Sequence, residues 1–239
     1  MEVSSDIPDT PALQTFIEPS PETCTSLIVN EKLSGRYFLW AICGAFGDNL
    51  HKTAQKLAKA AGLSAGETGQ LQELGELFNY NGYGTSISDL HFHPRELYEA
   101  VLPYLSPFDF IENSRQLDAL RSGYSEDLNH AKELKPLPIG GKNRLYRFPD
   151  APWARRVTGV FSNLRAREQT DGAHCVITEN SDSTLRISVR APLDDKRDAE
   201  KLCKLFPTGG GRAAAAGINS LPADQLELFI EKFQAFYPS

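Results

Sequence analysis

The sequence predicts an α/β protein: a mainly helical first part, then a smaller α/β domain with a mixed sheet. Three observations predict this. Up to about residue 134, apolar side chains recur at helical spacing, as in Leu50, Ala54, Leu57 and Ala61. Beyond residue 150, AHCVITE and TLRISVRA alternate with the period of two that suits a half-buried strand. Between them, KPLPIGGKN (Lys135–Asn143) gathers two prolines and two glycines, a composition that breaks both patterns. The expected organisation is a first domain over 1–134, a linker over 135–150 and a second domain over 151–239.

Taken in order, residues 1–22 are rich in Pro, Ser, Asp and Glu and are expected to run extended. CTSLIVNEK reads as a short helix. YFLWAICGAF (Tyr37–Phe46) is the longest apolar stretch and reads as one buried strand, punctuated by Gly44 and Gly47 just before Asp48. NLHKTAQKLAKAA is a helix that Gly62 ends. Another runs over Glu67–Phe78, starting near Ser64, with Leu71, Leu74 and Leu77 on one stripe. NYNGYG (Asn79–Gly84) makes a turn, and Pro94 opens the helix PRELYEAVLPYL. Further helices reach about residue 134. The second domain reads as three strands, ARRVTGVFSN, AHCVITE and TLRISVRA, then a helix over Lys196–Leu205. A helix beginning at the alanines after TGGGR and a last amphipathic one in ADQLELFIEKFQAFY complete it.

Composition narrows the function classes. An apolar content of 41% and a charged content of 23% belong to a globular chain. No apolar run reaches the length of a membrane span. The acidic start MEVSSDIPDTP does not resemble a signal peptide. Cys24, Cys43, Cys175 and Cys203 lack metal-like spacing and read as free thiols of a cytoplasmic protein. The net charge is −6, and residues 151–239 carry 12 basic and 11 acidic side chains. That balance argues against a broad basic surface for duplex nucleic acid. It is compatible with a short phosphorylated ligand held by a few placed cations.

TGGGRAAAAG (Thr208–Gly217) is the stretch richest in chemistry. Read as a helix start, Gly209, Gly210 and Gly211 would let backbone N–H groups approach an anion without interference from a Cβ. Arg212 would add a two-pronged guanidinium grip. The competing reading is a glycine turn with a solvated arginine. ISVRAP supplies a second cation: on a strand, Ser188 and Arg190 share the face opposite Ile187, Val189 and Ala191. Asp48, at the end of a buried element, could present a carboxylate to a hard divalent ion, or could cap the helix that follows.

SVRAP followed by FPTGGGRAAAAG resembles the DHH-associated domain of the DHH phosphoesterases, and GVFSN (Gly159–Asn163) matches that domain's start. In most relatives the position of Arg212 is histidine; arginine keeps the anion grip but cannot donate a proton near neutral pH. PSPETCTSLIVNEKL and GAFGDN are similar to the segment that follows the DHH motif. By that resemblance Asp48 is a metal ligand, Arg190, Gly209–Gly211, Arg212 and Asn163 bind substrate, and Mn²⁺ or Mg²⁺ serves the complete family protein. The first domain would then be the C-terminal part of a parallel-sheet DHH domain.

No DHH triplet and no aspartate-rich first strand precede Asp48; the only earlier aspartates are Asp6 and Asp9. The chain is therefore expected to lack most metal ligands and to be inactive alone. The implied substrate is an oligonucleotide, dinucleotide or polyphosphate, gripped across an interdomain cleft. The alternatives are a non-catalytic nucleotide- or nucleic-acid-binding protein and a transferase with a phosphorylated cofactor. Self-association into a homodimer is expected from apolar surface on Tyr37–Phe46. Among secondary candidates, His91 and His93 of LHFHP lack metal-ligand partners and read as a loop, His51 lies close to Asp48, Tyr80 and Tyr83 could stack on a base, and Arg155–Arg156 read as a solvated pair.

Overall fold

The computed structural model describes residues 10–238, apart from residues 11, 19, 21 and 138. Asp6 and Asp9 lie outside the described residues. The chain divides into two compact units. One comprises the described residues up to Asn81 together with Phe92–Arg121; the other comprises Gly82–His91 and the described residues from Ser122 onward. The glycine- and proline-rich stretch Lys135–Asn143 lies inside the second unit.

The first unit is helical: α1 (Thr25–Lys32), α2 (Phe38–Gly47), α3 (His51–Ala60), α4 (Ala65–Tyr80), α5 (Pro94–Val101), α6 (Pro107–Asn113) and the start of α7 (Arg115–Glu133). Ser64 begins α4 with a reciprocal cap: its hydroxyl accepts from the Glu67 N–H, and the Glu67 carboxylate accepts from the Ser64 N–H. Pro94 sits at the first helical position of α5, and His93 Nδ1 accepts from the Arg95 N–H. Ile42, Ala45, Phe46, Ala54, Ala58 and Leu71 form the core.

The expected strand at Tyr37–Phe46 is helix α2. A ten-residue apolar run does not reveal its own period, because a fully buried strand and a fully buried helix both read as continuous apolar sequence. Packing decides it. A Cβ on Gly75 of α4 would lie 2.2 Å from the Cys43 carbonyl oxygen, and one on Gly47 would lie 2.7 Å from the Gly75 oxygen. The two helices therefore meet backbone to backbone, through small residues that a strand would not require.

The second unit contains β1 (Arg144–Phe148), α8 (Pro152–Glu168), β2 (His174–Glu179), β3 (Leu185–Arg190), α9 (Ala199–Cys203), β4 (Gly209–Arg212), β5 (Ala215–Leu221) and α10 (Leu226–Phe236). One five-stranded mixed sheet has the order β1-β2-β3-β5-β4, with β1 and β2 parallel and the other pairs antiparallel. This is the α/β class with a mixed sheet that the strand patterns predict. Strand β1 lies in the stretch the sequence reads as a linker.

Two elements differ from expectation here. ARRVTGVFSN belongs to helix α8, not to a strand. Pro152 starts it, and Ala154, Val157, Thr158, Phe161 and Ser162 are buried at helical spacing. Its β-branched residues give a strand-like composition, but α8 is the crossover that joins the parallel strands β1 and β2. The alanine run after the glycines is no helix either. Gly209–Arg212 and Ala215–Leu221 are strands paired antiparallel, with Ala213 and Ala214 between them. Four alanines are too few to nucleate a helix alone, and burial alternates along β5 at Ala216 and Ile218, before a register shift brings Leu221 inside.

The two faces of the sheet are unlike. Cys175, Ile177, Ile187, Val189, Ala216 and Ile218 share one core with Leu202, Phe229 and Phe233 of α9 and α10. On the opposite face α8 covers β1 to β3. Phe161 makes an edge contact with Tyr146 and a tilted one with Phe148, and the Thr158 hydroxyl meets that of Thr178 at 3.2 Å. All four cysteines are free and buried. Burial pushes the Cys43 and Cys203 thiols up to about 12, so both stay protonated at neutral pH.

Candidate functional site

The candidate site lies on the α8 side of the sheet. Directly opposed residues in an antiparallel pair project to the same face. Arg190 of β3 opposes Ala215 of β5, which opposes Arg212 of β4. Both arginines thus stand on one face in one row, separated by an alanine. The adjacent row is Ser188, Gly217 and Gly210. Two guanidinium groups therefore overlook a floor of residues with little or no side chain.

Arg190 is held in place. Its Nε donates to Asn163 Oδ1 at 2.8 Å, and its Nη1 donates to the Ser188 hydroxyl at 3.1 Å and to the Val189 carbonyl at 3.2 Å. Ser188 in turn lies 3.5 Å from the Ser162 hydroxyl. Helix α8 therefore supplies Asn163 and Ser162 to orient a strand arginine. Asn163 spends its carbonyl oxygen on Arg190, which leaves its NH₂ group for a ligand.

Among the described residues, neither Arg190 nor Arg212 has a carboxylate partner. Burial lowers the Arg190 guanidinium from its ordinary value; the Tyr83 hydroxyl opposes that shift and the Arg212 charge adds to it. Arg212 itself is exposed. Two like charges near each other without a counter-ion, one of them largely desolvated, form a site that an anion relieves.

The three glycines have different reasons to be glycine. Gly209 faces α9, where a Cβ would lie 1.8 Å from the Cys203 carbonyl oxygen. Gly211 has φ +142°, a conformation that other residues rarely adopt, and a Cβ there would lie 2.5 Å from the Ala216 Cα. At Gly210, on the arginine face, a Cβ would meet nothing within 4 Å. The fold requires the outer two, whereas the middle one leaves open space beside Arg190 and Arg212. The expected cradle of amides at a helix start is corrected accordingly: Gly209–Arg212 is a strand, and what the site offers an anion is guanidinium groups over a bare sheet.

Asp48 stands in the first unit, exposed, at the C-terminal end of α2, with its N–H bonded to the Gly44 carbonyl. It does not cap α3, whose N-cap residue is Leu50. His51 Nε2 lies 3.1 Å from Asn49 Oδ1 and 3.9 Å from Glu76 Oε1. Among the described residues no group of three or more His, Cys, Asp and Glu is placed to hold a metal ion. One exposed carboxylate does not fit the donor set of a two-metal centre.

The remaining candidates are structural. His93 caps α5. His91 lies 4.0 Å from Asp127 and so close to Gly123 that a Cβ there would meet its ring at 2.4 Å. Burial lowers its pKa from the ordinary histidine value. Tyr80 is fully buried, and Asn81 bonds the Phe92 backbone through both ends of its carboxamide. Arg155 and Arg156 are not a solvated pair. Arg155 makes a two-pronged bond to Asp89, at 2.9 and 2.6 Å, and Arg156 makes another to Asp127, at 2.7 and 2.9 Å. Asp89 and Asp127 are both buried. No sequence signal joins Asp89 to Arg155, 66 positions away.

No protein-family model matches the chain, and no curated protein matches it either. A solved structure similar to it is that of an exopolyphosphatase-related protein from Bacteroides fragilis, at 14% identity and a TM-score of 0.38. The match covers 81% of this chain and 58% of that one, so the chain spans less than two thirds of that protein's length. Among the described residues no helix is long and apolar enough to cross a membrane.

Proposed function

We propose that this chain binds the phosphate of a short phosphorylated substrate, as the substrate-gripping part of a DHH-type phosphoesterase. The observation that carries the reading is the Arg190–Ala215–Arg212 row: two guanidinium groups on one sheet face, without carboxylate partners among the described residues, beside a glycine with open space above it. A phosphate seated over Ala215 and Gly210 would receive N–H groups from both arginines and from the Asn163 amide. In the family whose motifs the chain resembles, the reaction would be hydrolysis of a phosphoester or phosphoanhydride, and Mn²⁺ or Mg²⁺ would be the metal that serves it; the described residues do not make up such a centre. Asp48 would be this chain's one contribution to that metal centre, and the chain by itself would be inactive. The SVRAP and TGGGR motifs support the family reading. Single-stranded oligonucleotides, dinucleotides and polyphosphate are the candidate ligands, in the cytoplasm.

Calorimetric titration of inorganic tripolyphosphate tests the reading. Arg212→Ala is expected to weaken binding by about 1.5–3 kcal/mol, the range for a charged hydrogen-bond partner. An unchanged affinity would remove Arg212 from the site. The second reading, a non-catalytic binding protein, uses the same contacts and is favoured by the single carboxylate at Asp48.

A further inference from the structure

The bare row Ser188–Gly217–Gly210 is flanked on one side by the row that holds Arg190 and Arg212. A third arginine stands on its other side. Leu185, Ile187 and Val189 of β3 lie in the core, so Arg186, Ser188 and Arg190 share the opposite face. The register agrees: Arg186 opposes Thr178, whose hydroxyl meets that of Thr158 on α8. Two positions along a strand separate Arg186 from Ser188 by about 7 Å. The Arg190 guanidinium reaches back along β3 to the Ser188 hydroxyl, at 3.1 Å, which narrows the gap to Arg186.

Arg186 is half-buried and, among the described residues, makes no ion pair; its Nε is buried without an acceptor. A buried donor without a partner costs stability, and native chains keep one where a ligand or water completes it. The ladder to β5 is also interrupted at this residue. Leu185 pairs with Leu221 and Ile187 with Ile218, so Asn219 and Ser220 together stand opposite Arg186, as a β-bulge. Thr208, the first residue of TGGGR, holds that bulge. Its hydroxyl accepts from the Ser220 N–H at 3.0 Å and its carbonyl from the Asn219 N–H at 3.4 Å. Bulges of this kind re-aim side chains beside functional sites.

We propose that Arg186 is a second anion seat on this face, across the glycine row from Arg190 and Arg212. It would take the next anionic group of a ligand whose first phosphate sits on those two. The proposal rests on the phosphate-binding reading above and adds a binding residue to it. A single phosphate needs only the Arg190–Arg212 row, whereas a ligand with linked phosphates also engages Arg186.

The experiment compares orthophosphate with tripolyphosphate by calorimetry on the full chain. Arg186→Met is expected to weaken tripolyphosphate about tenfold, the low end for one charged hydrogen-bond partner. Orthophosphate should stay within about threefold, the residual effect of a more distant charge. Arg212→Ala should weaken both. Arg167→Gln, which removes one charge from the exposed end of α8, should leave both unchanged. The urea midpoint of Arg186→Met should equal or exceed that of the wild type, because the orphaned Nε has no partner to lose; an arginine kept for the fold would lower it. Equal losses for the two probes, the same loss in Arg167→Gln, or a lowered midpoint would overturn the proposal. If Arg212→Ala weakens tripolyphosphate and Arg186→Met does not, the second seat falls and the phosphate reading stands. If the wild-type chain binds neither anion, both fall.

Discussion

Arg190 and Arg212 were legible in the sequence as cations, but their relationship was not. Period-two alternation in ISVRAP already places Ser188 and Arg190 on one face. That Arg212 shares the face depends on the hairpin register through Ala215, which no local pattern encodes. The glycines divide in the same way. Gly209→Ala is expected to destabilise the fold by about 1–3 kcal/mol, because its methyl group would be driven into the Cys203 carbonyl of α9. Gly210→Ala is expected to change stability by less than about 0.5 kcal/mol while weakening tripolyphosphate binding. Urea denaturation and calorimetry on the same two variants separate the roles; a stable Gly209→Ala or a phosphate-neutral Gly210→Ala would contradict this division.

Helix α8 shows why some elements escape a reading of the sequence. Val157, Thr158 and Val160 favour a strand by composition, and only burial at 154, 157, 158, 161 and 162 reveals the helical period. The helix also receives the Gly82–His91 segment through Asp89 and Arg155. That bond holds the Asp89 carboxyl well below the usual carboxylate range, the Arg155 hydrogen bond acting against burial. A carboxylate with a depressed folded-state pKa contributes stability that is fully present above its unfolded value, about 3.9, and is lost as pH falls below it. Wild-type stability should therefore decline steeply below about pH 4. Asp89→Ala should cost about 1.5–3 kcal/mol at pH 7, the range for losing a charged hydrogen-bond partner, since Arg155 keeps its ion pair with Asp150, and should show a shallower acid limb. Urea midpoints between pH 3 and 7 test this, and parallel acid limbs for the two proteins would contradict it.

For the whole molecule, the division into a helical and an α/β part was legible, since helical spacing and strand alternation occupy different stretches of the chain. The assignment of residues to compact units was not. Gly82–His91 joins the second unit through a buried ion pair whose partners lie 66 positions apart. The donor set around Asp48 leads to a further expectation: with Mn²⁺ added, the purified chain should bind tripolyphosphate without hydrolysing it, and phosphate release above the protein-free rate would contradict that. A crystal of the chain soaked in tripolyphosphate would locate the ligand itself. The account predicts phosphate density over Ala215 and Gly210, within hydrogen-bond reach of both Arg190 and Arg212. Density elsewhere, with those two side chains contacting only water at saturating ligand, would contradict it.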